Sequence, residues 1–202
     1  MPVDIINDGT SEYLSQTFSR LALSEQEVDY REFDGCTFEE CDFSKVQFTK
    51  CKFIDCEFVK CNLSNANPGF SQFLDVSFIE CKMIGVDWTR ASWPVYALCS
   101  PLTFRKCVIN DSSFFGLSMK EMVLEDCKAH DVDFREAEFA EANFSYSDLS
   151  HSLFNNTNLA EANFEEATGY DIDIYSNTLK GAKFSRIEAV RLLECLGVEL
   201  RD

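Results

Sequence analysis

Large apolar residues recur at every fifth position along most of this chain. From Tyr13 the series runs Phe18, Leu23, Val28, Phe33, Phe38, Phe43, Phe48, Phe53, Phe58, Leu63, Pro68, Phe73, Phe78, Met83, Trp88, Trp93 and Leu98. After one added residue near Ser100 and Pro101 it resumes at Phe104 and continues to Phe184. Of its 35 positions only Pro68, Ala129 and Gly169 lack a large apolar side chain, and 17 of the 19 Phe residues lie on it. A helix repeats every 3.6 residues and a strand every 2, so neither alone produces this pattern.

A second series sits two residues before the first. Between Cys36 and Ala182 it has 30 positions, and 24 hold Cys, Ala, Ser, Thr or Val. Eight of the ten cysteines are here: Cys36, Cys41, Cys51, Cys56, Cys61, Cys81, Cys107 and Cys127. A free thiol packs as a small, nearly apolar group, which suits a crowded position. The other three residues of each unit are mostly polar. Two inward and three outward residues make one short side and one corner. Four such sides close a square coil of 20 residues, and coils stack at a sheet spacing of ~4.8 Å. The fold class expected is therefore all-β, a solenoid in which Phe38, Phe58 and Phe78 lie above one another.

The pattern divides the chain into three parts. Residues 1–12 form an N-terminal cap, 13–184 the repeat array with a one-residue insertion near 99–103, and 185–202 a C-terminal helix and tail. Asn67-Pro68-Gly69 is expected to bulge, because a ring with fixed φ replaces a core Phe. Arg31, Gln26 and Leu21 stand where small residues belong, so the first coil is expected to be irregular. Ser185-Arg186-Ile187-Glu188 reads as a capping box that opens an α-helix, with Gly197 as its stop. Ile187, Val190, Leu193 and Leu196 share one face of that helix. It either caps the rod alone or caps it and pairs with a second copy, a homodimer interface.

The net charge of −17 disfavours direct binding of nucleic acid or an anionic membrane surface. The start carries no basic and apolar leader, and no run is long enough to span a membrane, so a cytoplasmic location is expected. The cysteines are read as reduced thiols, since no Cys-x2-Cys pair or His spacing suggests zinc. No phosphate loop, nucleophile elbow or His-based triad occurs. Neither a catalytic residue, a metal site nor a cofactor is expected, and the chain is read as a non-enzyme.

Acidity is concentrated late in the chain. Between Asp131 and Asp173 lie Asp131, Asp133, Glu136, Glu138, Glu141, Asp148, Glu161, Glu165, Glu166, Asp171 and Asp173, against the single base Arg135. Such a band either keeps a Phe-rich rod soluble or presents a ladder of anions. Duplex DNA carries one charge per ~1.7 Å of axis, so an anionic rod could occupy a basic DNA-binding groove.

Units such as Glu-Ala-Asn-Phe-Ser and Glu-Ala-Asn-Phe-Glu match the A(D/N)LXX consensus of the pentapeptide-repeat family, which the chain resembles over nearly its whole length. The resemblance implies a right-handed quadrilateral β-helix. Within the family the chain is similar to the subgroup acting on DNA gyrase, above all its albicidin-resistance members. The similarity is most specific in Cys-Lys-Met-Ile-Gly-Val-Asp-Trp (Cys81 to Trp88), in Asp-Ile-Asp-Ile (Asp171 to Ile174), and from Phe184 through Leu-Gly-Val-Glu-Leu. It implies a tail-to-tail homodimer, a DNA-like acidic surface, binding to DNA gyrase or a related type II topoisomerase, and protection against a topoisomerase poison. Quinolone-resistance members carry two sizeable loops, in place of which this sequence has the Pro-Gly feature and the short insertion. A peptide-type poison is the better match. A scaffolding protein, or one that sequesters a drug directly, are the competing readings.

Overall fold

The computed structural model describes residues 9–93 and 102–198. These form an all-β parallel solenoid of about eight turns. Strands are only two or three residues long, and every pairing is parallel to a neighbour about one coil away. On the second side of the coil the register is Phe18 on Phe38, Phe38 on Phe58 and Phe58 on Phe78. The aromatic rings follow the backbone. Phe38 and Phe58 stack with centroids 4.6 Å apart, Phe33 and Phe53 5.1 Å apart, and Phe144 and Phe164 4.9 Å apart. Rings on adjacent sides meet edge to face, as Phe33 does with Phe38 at 73°. Both geometries suit the ring quadrupole and add ~0.5–1.5 kcal/mol per pair beyond burial.

Each side ends in a corner, and the corner is a left-handed residue. Among the described residues 25 non-glycine positions have φ between 48° and 64°, from Ser15 and Arg20 through Glu161 and Glu166. An L-residue adopts this region reluctantly. It is held here because corner N–H groups donate to the adjacent coil, for example Lys45 to Ser64 at 2.8 Å and Glu141 to Ala160 at 2.8 Å.

The small inward position solves a second problem, that of its own N–H. Some units turn this N–H back onto the carbonyl three residues earlier, as Ala66 does with Leu63 (2.9 Å) and Ala142 with Phe139 (3.1 Å). There Ala or Val suffices. Elsewhere the N–H donates to a side chain from the next coil. Leu21 N–H donates to Cys41 Sγ, Cys41 to Cys61, Cys61 to Cys81, Cys81 to Cys107, Cys107 to Cys127 and Cys127 to Ser147 Oγ, all between 3.0 and 3.4 Å. The Cys61 thiol in turn donates to the Phe38 carbonyl at 3.2 Å. The cysteines thus satisfy buried backbone as well as filling space. All nine among the described residues are free, and only Cys195 is exposed. Burial pushes the Cys51 thiol up to about 11 and Cys56 up to about 12, so neither forms a thiolate readily.

Several expectations need correction. The insertion is larger than one residue: Ser77 pairs with Thr103 and Phe78 with Phe104, so that coil takes 26 residues instead of 20. Six is one unit plus one residue, which leaves the same phase shift. The extra chain falls between Trp93 and Leu102; Leu98, Ser100 and Pro101 lie outside the described residues. Pro68 makes no bulge. It is buried on the core series, Gln47 pairs with Asn67, and Phe53 stays in register with Phe73. The ring is smaller than Phe, so a small apolar cavity remains between it, Phe48, Leu63, Phe73 and Trp88.

The first coil is regular: Tyr13, Phe18 and Val28 are buried and paired to the coil above. An end coil has a neighbour on one side only, which leaves room for Leu21 and Gln26. Late in the rod, Phe154 pairs with Ile172, 18 residues on, while Asn156 N–H donates to Ser176 O, 20 on. The shortened side places Tyr170 and Ile172 in the core where the five-step series had Gly169 and Ile174.

The C-terminal helix is a 3₁₀ helix, Glu188–Leu196, and not an α-helix. The expected capping box does not form because its side chains are engaged elsewhere. Ser185 Oγ donates to Glu166 (3.0 Å) and accepts the Glu166 N–H, while Glu188 accepts from Gly169 N–H (3.4 Å) and Arg191 (2.8 Å).

Two substitutions test this packing. Cys61→Ala strands the Cys41 N–H and should cost ~1–3 kcal/mol in denaturant unfolding, whereas Cys61→Ser should cost less. Equal tolerance of both would remove the backbone-satisfying role of the thiol. Gly169 has φ +71° and a Cβ there would overlap Ser150 Oγ. Gly169→Ala should therefore cost more than ~1 kcal/mol, measured the same way, and a neutral outcome would contradict this close approach.

Candidate functional site

The acidic band wraps the rod. Outward positions and register place Asp148 on the third side with Asp131 at its corner, and Asp133, Glu136, Asp171 and Asp173 on the fourth. Glu138, Glu141 and Glu161 lie on the first side, and Glu165 and Glu166 on the second. The structure therefore gathers the ten predicted partner-binding residues into a collar over the last coils, on all four sides. It also adds one that the sequence band missed. Corners one coil apart stack directly, so Glu121, Glu141 and Glu161 form a column of carboxylates on the first side. The coil register, once known, would have revealed it.

Charge pairing distinguishes the two halves of the rod. Early coils pair opposite charges across one coil: Arg20 with Glu40 (2.8 Å), Lys45 with Glu25 (2.6 Å) and Lys52 with Glu32 (2.9 Å), and past mid-rod Arg105 still pairs with Glu125 (3.0 Å). Within the collar only three of the predicted carboxylates have a basic partner among the described residues. Arg135 grips Asp133 with two nitrogens at 2.8 and 2.9 Å, which holds that carboxyl below its ordinary range. Lys120 reaches Glu141 at 3.0 Å. Asp148 meets His130 at 2.8 Å and accepts from Ser150 Oγ at 2.6 Å. Burial opposes the charge on Asp148, but these hydrogen bonds outweigh it and keep the carboxyl low. Glu138 takes only the neutral Asn158 amide, at 2.6 Å. Among the described residues Glu136, Glu161, Glu165 and Asp171 have no ion-pair partner.

The terminal helix adjoins this collar. Leu192, which the helical-face reading did not single out, packs against the core. The four residues expected to form a dimer contact point outward: Ile187 is 84% exposed, and Val190, Leu193 and Leu196 are exposed as well, with Val198 beside them. A groove lined by His151, Leu153, Asp171 and Arg191 separates the last coils from the helix. No helix among the described residues is long and apolar enough to cross a membrane, and no cluster of His, Cys, Asp and Glu among them could hold a metal ion.

A family model described as a pentapeptide repeat region matches residues 31–100 and 97–164. No curated protein matches the chain by sequence. Among solved structures, trypsin-treated QnrB1, a plasmid-mediated fluoroquinolone resistance protein, aligns with a TM-score of 0.72 at 19% identity. The match covers 94% of this chain and 97% of that one. HetL from the cyanobacterium Nostoc sp. strain PCC 7120, a pentapeptide repeat protein involved in heterocyst differentiation regulation, aligns with a TM-score of 0.66 at 14% identity, covering 85% and 84%. At these identities the likeness is one of fold, the right-handed quadrilateral β-helix. The repeat match spans well over half of the sequence, and the chain belongs to the pentapeptide-repeat family.

Proposed function

We propose that this protein is a DNA-mimicking rod that binds DNA gyrase or a related type II topoisomerase in the cytoplasm and protects it from a poison. The observation that carries the reading is a collar of carboxylates, most of them without a basic partner among the described residues, beside an exposed apolar helix. A homodimer through Ile187, Val190, Leu193 and Leu196 would join two collars at the centre of one longer rod. Its surface would then present anions to a basic DNA-binding groove over a length that neither copy supplies alone. The fold likeness to a fluoroquinolone resistance protein supports this direction. The protein acts by occupancy and not by catalysis. The likeness to HetL keeps a regulatory scaffold as the second reading.

Many weak carboxylate contacts make binding salt-sensitive, because exposed charges are screened within ~8–10 Å at physiological ionic strength. Glu161→Gln with Glu165→Gln should raise the concentration needed to inhibit gyrase supercoiling by about tenfold, a change of ~1.4 kcal/mol. Both side chains point outward, and Glu166, which anchors Ser185, is left intact. Glu27→Gln with Asp29→Asn, at the far end, should leave inhibition nearly unchanged. Equal effects of the two pairs, or none, would reduce the collar to a solubilising surface.

Leu193→Asp places a charge in the apolar helix face, where burial without a partner costs several kcal/mol. Sedimentation should show a dimer for the parent protein and a monomer with unchanged circular dichroism for the variant. A parent that is monomeric at micromolar concentration would sink the dimer.

A further inference from the structure

One corner of the rod carries side chains that neither the core nor the acidic collar accounts for. It lies between the fourth and first sides over the early coils. Its left-handed residues are, in order of stacking, Tyr30, Lys50 and Phe70, with φ of 53°, 53° and 54°. Arg90 follows on the next coil, its carbonyl accepting the Phe70 N–H at 2.8 Å. Aromatic and cation thus alternate at one-coil intervals. Phe70 is 72% exposed and Tyr30 is 62% exposed.

These choices are unfavourable for folding alone. A bulky side chain at positive φ is strained, and both rings lie outside the core. Of the 25 non-glycine residues with positive φ among the described residues only three are aromatic, and two of them stand on this corner, two coils apart. The others are charged or polar, as the position prefers. Lys50 lies over the Tyr30 ring at 5.3 Å and donates to its hydroxyl at 3.4 Å, which holds the pair upright.

Charge separates this corner from the rest of the molecule. Arg31 and Lys52 join Lys50 and Tyr30 in lining a groove there, with Glu12 and Glu32 as its only carboxylates, and Lys52 pairs with Glu32 at 2.9 Å. Within this groove three cations, Arg31, Lys50 and Lys52, face two carboxylates, in a chain whose net charge is −17. Exposed aromatics with Arg are the composition of protein interface cores.

We propose that this corner is a docking ridge for an extended acidic peptide segment of a partner protein, with apolar side chains seated on Tyr30 and Phe70 and carboxylates on Lys50 and Arg90. A short segment senses only the local charge, since the rest of the rod is screened beyond ~8–10 Å. A longer polyanion such as single-stranded nucleic acid would also meet the flanking acidic sides, which disfavours it. The ridge lies at the opposite end of the rod from the collar and does not depend on the topoisomerase reading.

The test is selection of a random dodecapeptide phage library on the immobilised full chain. Enriched peptides are then synthesised and their binding measured by fluorescence anisotropy. Peptides rich in Asp and Glu with interspersed apolar residues should be selected. Their affinity should fall at least about tenfold with Phe70→Asn and Lys50→Asn together, and fall further with salt. Asn tolerates the left-handed region, so this variant should melt no lower than the parent, and Tyr30→Asn provides an independent second variant. Failure to enrich any peptide, enrichment without acidic bias, unchanged binding to both variants, or tighter binding of a labelled oligothymidylate at the same residues would each overturn the proposal.

Discussion

Backbone stacking between coils is the constraint on which everything else in this molecule rests. A strand of two or three residues cannot stand alone. It persists because the coil on each side supplies partners for its N–H and C=O groups. The resulting spacing lets aromatic rings lie face over face, and it obliges each column to hold side chains that tolerate a copy one coil away. The corner is then left-handed at almost every described side from Ser15 to Glu166, the 3₁₀ turn Trp88–Arg90 replacing it at one. The small inward residue must also find a partner for its own N–H. Thiols and hydroxyls serve where the chain does not turn back on itself, which is why a protein with no metal-like cysteine spacing still carries a column of cysteines.

The same spacing makes surface charge a column property. Two like charges ~5 Å apart repel by ~0.8 kcal/mol in water and ~3 kcal/mol at an effective dielectric near 20. On some early columns the repulsion is avoided by alternating sign, as in Arg20 over Glu40 and Glu25 over Lys45, although Glu12 stacks on Glu32 and Asp55 on Asp75. In the late coils it is largely accepted, with Glu121, Glu141 and Glu161 stacked and only Lys120 between them. A surface that needed only solubility could have used the early arrangement throughout. The departure at one end, next to an exposed apolar helix, gives the rod a polarity that suits binding at that end.

The rod therefore has two chemically different regions on one rigid scaffold. The collar is anionic and has few basic partners, while the early corner is aromatic and cationic. Rigid spacing means that the two can act on separate partners, or on separate parts of one, without a conformational change between them.

The sequence by itself determined the period, the inward and outward positions, the coil of four sides and the acidity of the later repeats. Each follows from a five-residue phase, and phase is a local property. What it could not determine was anything that keeps phase while changing length or partner. Six added residues before Phe104 have the phase of one, and only pairing with Phe78 reveals the difference. Pro68 looked like a break because its φ is fixed, yet the coil accepts it and leaves only a small cavity. Tyr170 entered the core in place of Gly169 because the side beneath it shortened. The terminal helix was legible in its exposed apolar face, but its start was not, since Ser185 and Glu188 bond to Glu166 and Gly169 on the preceding coil. The acidic residues were likewise visible in the chain. That they encircle the rod, and which of them lack a cation, was decided by stacking residues 20 apart in sequence within one hydrogen bond of each other.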